Sequence, residues 1–254
     1  MTLLLPVAAG LDPISQFEIK TLIDLPYGLD FTNSTFFMLL GVLSIVLFFG
    51  LAARKKALVP GRLQSIGEMG YTFIADMIRG VSGEEGLKFF PFVFTLFFFI
   101  LFANLIGMIP FAFTTTSHIA VTATLSVMVI AIVIGYGFFK HGLGFLKLFA
   151  PAGAPLFVYP LLIPIEVISF LARPLTLALR LFANMLAGHI TLKLFAGFAL
   201  MLATAGGVYP LVGVISFLTG TTLNALEFLV AGIQAFVFAI LTVIYLNDAL
   251  HPSH

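Results

Sequence analysis

LFVYPLLIPIEVISFLARPLTLALRLFANMLAGHITLKLFAGFALMLATA, residues Leu156 to Ala205, is a nearly unbroken apolar run. As one helix rising 1.5 Å per residue it would extend about 75 Å, more than twice the roughly 30 Å of hydrocarbon in a bilayer. Glu166, Arg173, Arg180, His189 and Lys193 sit inside it. A charge at the bilayer centre costs about 2.5–3.5 kcal/mol on insertion scales, so each of these is by default a functional candidate. At 100° per residue, Glu166, Arg173, Arg180 and Asn184 share a stripe roughly 40° wide. Ser169 and Thr191 lie near its edges, and His189 points to the opposite side. One face therefore presents fixed positive charge and the other a titratable ring. Pro160, Pro164 and Pro174 permit kinks, and the first convincing turn is Gly206-Gly207. The reading is a single tilted, kinked helix rather than one that folds back.

Composition sets the solvent of the whole chain. Of 254 residues, 61% are hydrophobic and 9% charged, against about 25% charged in soluble domains, which places the chain among polytopic membrane proteins. A net charge of +1 argues against nucleic acid as a partner. With no cysteine there is neither a disulfide nor thiol chemistry. The few histidines lack H-x-x-x-H spacing, so no metal site and no cofactor are expected. The start, MTLLLPVAAGLD, lacks the basic region of a secretory signal. Tryptophan is absent, so tyrosines mark the interfaces; Tyr136, Tyr159, Tyr209 and Tyr245 stand near the ends of apolar runs.

Taken in order, residues 1–34 are mixed in polarity and read as a segment outside the bilayer. A first span covers about 36–53, and Arg54, Lys55, Lys56 and Arg62 follow it. By the positive-inside rule that end is cytoplasmic, so the N-terminus lies outside. Residues 62–80 have Leu63, Ile66, Phe73, Ile74, Met77 and Ile78 on one face and Ser65, Glu68, Thr72, Asp76 and Arg79 on the other. That pattern predicts an amphipathic helix on the cytoplasmic surface, with burial against a soluble partner as the alternative. A second span is expected over 89–110 with Asn104 as its only strongly polar interior residue, then an outer TTTSH loop, then a third span over 119–139. Residues 150–155 form a Pro/Gly-rich connector before the long run at 156–205, and a second long run covers 208–248 with Asn224, Glu227 and Gln234. The fold class is thus an all-α polytopic membrane protein in a single domain. It has about five passes and one amphipathic surface helix, and its last two passes form a tilted antiparallel hairpin with the C-terminus cytoplasmic. No inverted repeat of the kind found in secondary transporters is evident.

In a hairpin about Gly206-Gly207, residues whose numbers add to about 413 lie level. His189 then falls level with Asn224, one turn from Glu227, and Arg180 falls beside Gln234. Lipid offers polar groups no partners, so the expected pairs are His189 with Glu227 and Arg180 with Gln234. The pairs differ in chemistry. Histidine titrates near neutrality and burial moves a carboxylate toward it, so His189 and Glu227 can exchange protons. A guanidinium stays charged, so Arg180 can only be a standing cation, one that favours an ionised carboxylate beside it and blocks proton leakage past itself. Its nearest acid in sequence, Glu166, is too far for a bridge within one helix, which implies a negative partner elsewhere, on another chain. Plainer readings stay open for the neighbours. Arg173 and Lys193 can snorkel, Glu166 can balance Arg173, and Asn104, Asn184 and Gln234 can be helix-packing hydrogen bonds.

LALRLFANMLAGH (Leu177 to His189) resembles subunit a of the F-type ATP synthase membrane sector, and the likeness continues in IQAFVFAILTVIYL (Ile233 to Leu246), FANLIGMIP (Phe102 to Pro110) and PISQFEI (Pro13 to Ile19). The likeness is to the mitochondrial and alphaproteobacterial members. It implies that Arg180 faces the proton-carrying carboxylate of a rotating c-ring and that the two long helices lie inclined against that ring. It further implies that His189 and Glu227 line the outer half-channel and that Asn184 and Gln234 flank the arginine. Glu166 and Ser169, with Arg173 beside them, match positions near the inner half-channel, and Asn104 matches a polar position on the second span. Gly107 stands where some members carry an acid, so the outer channel is expected to be solvated differently here. The implied partners are c-ring subunits, b-type peripheral stalk subunits and lipid. The implied place is a bacterial inner membrane, with the mitochondrial inner membrane as the alternative.

The function expected is that of a proton-translocating stator in a rotary ATP synthase: two offset half-channels and an essential arginine, with one copy in the complex. The alternative is a self-contained proton-coupled transporter or channel, and a third reading is a passive scaffold in which Arg180 is dispensable. No G-x-x-x-x-G-K-[ST] occurs, so nucleotide chemistry belongs to other subunits and the chain is expected to be non-catalytic by itself.

Overall fold

Five helices long and apolar enough to cross a membrane, and one further helix, make up the computed structural model, which describes residues 17–24, 30–54, 60–109, 112–149 and 157–251. Lys55, Lys56, Pro110, the connector at 150–155 and most of the PISQFEI stretch lie outside the described residues. The helices are α1 (Asn33–Ala52), α2 (Arg62–Ser82), α3 (Phe90–Gly107), α4 (Ile119–His141), α5 (Tyr159–Ala203) and α6 (Tyr209–Leu250). The fold is all-α, apart from a short antiparallel pair of strands, β1 (Thr21–Ile23) and β2 (Phe31–Thr32), ahead of α1.

Local chemistry sets the ends. Thr32 caps α1, its Oγ1 accepting from the Thr35 backbone N–H at 3.3 Å. Gly83 ends α2 with φ 62, where a side chain would be strained. Prolines open α3, α5 and α6 within the first two positions, where a missing N–H costs nothing. Asn33 ties the strands to α1: its backbone N–H donates to Lys20 O at 3.0 Å and its Nδ2 to Glu18 O at 3.0 Å.

The 45-residue run from Tyr159 is one helix, with Pro164 and Pro174 inside it. It turns at Gly207, φ 75, and α6 returns antiparallel along it. Close approach near the turn needs small residues: a Cβ on Gly213 would meet Ala199 O and Ala203 N at 3.1 Å. α6 is the hub. Ala231, Ala235, Phe238, Ala239, Val243 and Leu246 are buried, in contact with α5, α4, α3 and α2. Small residues let helices pack closely where lipid supplies no hydrophobic drive.

The amphipathic stripe of α2 divides. Ile74, Ala75 and Ile78 are buried in the main core, with Ser82 Oγ donating to Val243 O at 3.4 Å, whereas Leu63, Ile66 and Phe73 stay exposed. α2 therefore rests on α6, α3 and α1 through part of its apolar surface and leaves the rest uncovered.

Candidate functional site

Two polar centres lie along the α5–α6 hairpin. Near the turn end, His189 of α5 meets Glu227 of α6, with Nδ1 2.5 Å from Oε1. Glu227 is 6% exposed. Nδ1 also lies 3.0 Å from Met185 O, so a carbonyl and a carboxylate oxygen both approach the same ring nitrogen. On the far side of the ring, Nε2 is 2.9 Å from Gly107 O and 3.0 Å from Thr114 Oγ1. The Phe17 ring stands edge-on to the imidazole at 6.4 Å between centroids. A cavity of about 750 Å³ reaches this pair, lined among others by Glu18, Lys20, His189, Lys193, Asn224 and Glu227. Lys193, which could have snorkelled, thus belongs to the rim of this cavity. A smaller cavity of about 210 Å³ shares Leu192, Ala196 and Asn224 with it and reaches Gly220 and Thr221.

The loop before α4 is built from hydrogen-bonded hydroxyls. Thr116 Oγ1 donates to Asn104 Oδ1 at 2.8 Å, and Asn104 Nδ2 donates to Ala231 O at 3.2 Å, all three groups buried. Asn104 thereby joins α3, the loop and α6, which satisfies it as a helix–helix hydrogen bond. His118, at the end of the loop, stacks on Phe113 with centroids 5.0 Å apart. Burial pushes its imidazole below the ordinary histidine range, partly opposed by a hydrogen bond with the Phe17 backbone.

The second centre surrounds Arg180, near the midpoint of α5. Arg180 is exposed, and among the described residues no acid lies within ion-pair distance of it. Exposed Leu171, Leu175 and Leu179 share its part of the helix. The expected pairing of Arg180 with Gln234 is not what the hairpin makes. Asn184 Nδ2 donates to Gln234 Oε1 at 2.9 Å instead. Side chains lean toward the N-terminus of their own helix, which for α6 is the turn end, so Gln234 reaches for the residue one turn beyond Arg180. Gln234 Nε2 is buried without a partner among the described residues.

Toward the other end, the same leaning carries Arg173 to the C-terminal end of α6. Its Nη1 donates to Asp248 Oδ2 at 2.6 Å, and its guanidinium lies 5.3 Å from the Phe170 ring centroid and 5.0 Å from that of Tyr245. Both snorkelling and a pairing with Glu166 are therefore replaced by a clasp to α6. Glu166 is half-exposed and Ser169 exposed on the same stretch. Asp248, Thr114, Thr116 and Gly188 escaped the reading of the sequence. Only Gly188, a glycine inside a helix beside the key histidine, carried a legible signal.

Fold and site together define a polytopic membrane protein with a long helical hairpin, an exposed arginine with no acid beside it among the described residues, and a His–Glu pair beside a cavity. The ATP synthase A chain family matches residues 35–247. The chain belongs to that family. It is 67% identical over 249 residues to a protein of Hyphomonas neptunium named ATP synthase subunit a, covering 97% of this chain and 98% of that protein. Proteins of the same name from Mesorhizobium japonicum and Maricaulis maris are 55% and 54% identical over 250 and 257 residues, covering 97% of this chain in each case and 99% and 100% of those proteins.

Proposed function

We propose that this chain is the proton-translocating stator subunit of a rotary ATP synthase. In this reading it sits in a bacterial inner membrane as one copy in a multi-subunit complex, with its N-terminus outside and its C-terminus in the cytoplasm. The observation that carries the reading is Arg180, a cation exposed on the apolar outer surface of the hairpin with no acid beside it among the described residues. A guanidinium in hydrocarbon needs an anion, and a carboxylate on another chain supplies one.

In this reading the carboxylates of a c-ring pass that surface in turn. A proton arriving from outside through the cavity at His189 and Glu227 neutralises one of them, which can then turn into lipid. On the other side, a route near Glu166, Ser169 and Arg173 takes the proton away to the cytoplasm. Arg180 holds the carboxylate ionised between the two, with Asn184 and Gln234 flanking it and Asn104 supporting the outer half from α3. Each charge crossing delivers about 2.3 kcal/mol per 100 mV, so a cation that stops leakage between the routes conserves the gradient. The chain performs no nucleotide chemistry itself; that belongs to partner subunits, while b-type subunits hold the stator still.

Arg180→Ala tests this. The expected result is a complex that assembles in membranes but has lost ATP-driven proton pumping, read by quenching of an acridine dye in inverted vesicles. Pumping retained above half the normal rate would overturn the reading.

A further inference from the structure

At His189, the carbonyls near each ring nitrogen can only accept a proton, and the Glu227 carboxylate can give one only while it is itself protonated. Met185 O faces Nδ1 at 3.0 Å, Glu227 Oε1 is 2.5 Å from the same nitrogen, and Gly107 O faces Nε2 at 2.9 Å. Carbonyls have no proton to give, and an ionised carboxylate has none either. Such a shell suits a ring carrying a proton on both nitrogens, and it leaves a neutral ring with a bare lone pair pointing at an acceptor. One group differs. Thr114 Oγ1, 3.0 Å from Nε2, is a hydroxyl whose hydrogen can rotate.

With Nε2 protonated, the ring donates toward Gly107 O and Thr114 Oγ1 while the threonine proton goes to Gly107 O, 3.2 Å away. With Nε2 bare, the same hydroxyl turns and donates to it. We propose that Thr114 is a positioning residue for proton transfer at His189, its hydroxyl acting as the reversible donor that lets the ring give up its proton as well as hold it. The inference rests on His189 lying on the outer proton route.

The surroundings are built to keep that hydroxyl in place. Thr114 is 3% exposed. A Cβ at residue 107 would meet Thr114 Cγ2 at 2.8 Å and Oγ1 at 2.9 Å, so the threonine occupies the space that the bare glycine leaves. Thr114 O accepts from Ser117 Oγ at 2.6 Å, and Thr116, on the same loop, is anchored on Asn104. The charged groups around the ring are Glu227 from α6, Lys193 from α5, and Glu18 and Lys20 from the N-terminal segment, all at the cavity. α3 contributes a carbonyl and the outer loop a hydroxyl, with His118 at the end of that loop.

The test uses the whole complex in inverted membrane vesicles, where the outer route opens to the lumen, with proton flux followed as a function of the lumenal pH set when the vesicles are formed. Thr114→Val removes the hydroxyl at nearly constant volume. Without its donor the neutral ring loses its partner at Nε2, so the flux profile is expected to move by about one pH unit to the alkaline side, and flux at neutral pH to fall several-fold. Thr114→Ser, which keeps a hydroxyl, is expected to restore the normal profile. Thr114→Ala provides the same measurement with the side chain shortened. Unchanged profiles in both the valine and alanine variants would overturn the proposal, as would a serine variant no better than valine. His189→Ala separates this from the wider reading. If it leaves flux intact, the outer route itself is elsewhere; if it lowers flux while the valine variant does not, only the role of Thr114 fails.

Discussion

A single missing methyl group decides the position of the acid beside the cavity at His189. A Cβ on Gly188 would lie 2.5 Å from Glu227 Oε1 and 2.8 Å from its Cδ, so the carboxylate reaches His189 only because residue 188 has no side chain. Gly188→Ala is expected to leave the complex assembled and to slow proton pumping by roughly 10- to 100-fold, the usual consequence of shifting a transfer group by about 1 Å. Initial rates of dye quenching check this, and a rate within twofold of normal would show that Glu227 tolerates displacement. At this scale the residue types were readable beforehand. Arg180, His189 and Glu227 announce themselves because charges in apolar runs are costly. Thr114 does not, since a threonine in a loop looks like any other loop hydroxyl until the fold sets it against Nε2.

Helices α5 and α6 are held at their far end by a different device. The Arg173–Asp248 pair, with side chains 22% and 21% exposed, closes the hairpin where no covalent turn does, and Phe170 and Tyr245 flank the guanidinium. Removing one member of a partly buried pair strands the other. Arg173→Gln and Asp248→Asn are each expected to lower the thermal midpoint of the assembled membrane sector, and the double variant to fall no further than the worse single one. The coupling should be about 1–3 kcal/mol, and strictly additive losses would show that the two groups act independently. The hairpin register was close to legible: level positions summing to about 413 put His189 within a turn of Glu227. It failed for Arg180 because side chains lean along their own helix axes, a displacement that spacing along one helix does not reveal. The division of α2 was equally hidden, because which part of an amphipathic face is covered depends on where the neighbouring helices stop.

Across the whole molecule, charge asymmetry and the odd number of long apolar helices combine into a topology. Arg54, Arg62, Lys140 and His141 lie at one set of helix ends, the TTTSH loop and the strands at the other. The chain has no cysteine, so single introduced thiols report their side without background. Lys20→Cys is expected to react with a membrane-impermeant maleimide in intact cells and His251→Cys only in inverted vesicles; the reverse pattern would turn the molecule over. The five long apolar helices, the extra amphipathic helix and the terminal hairpin follow from apolar run length, because a bilayer admits little else than a helix of sufficient span. The family, too, is written in the arginine-centred motif of α5. Partners for the charges were a tertiary matter. Arg173 bound to Asp248, Asn104 locked into a loop–helix clasp with α6, and Thr114 set against His189 all join residues far apart in sequence. Periodicity tells which face a residue occupies, while only the packing of other helices and loops against that face tells what it meets there.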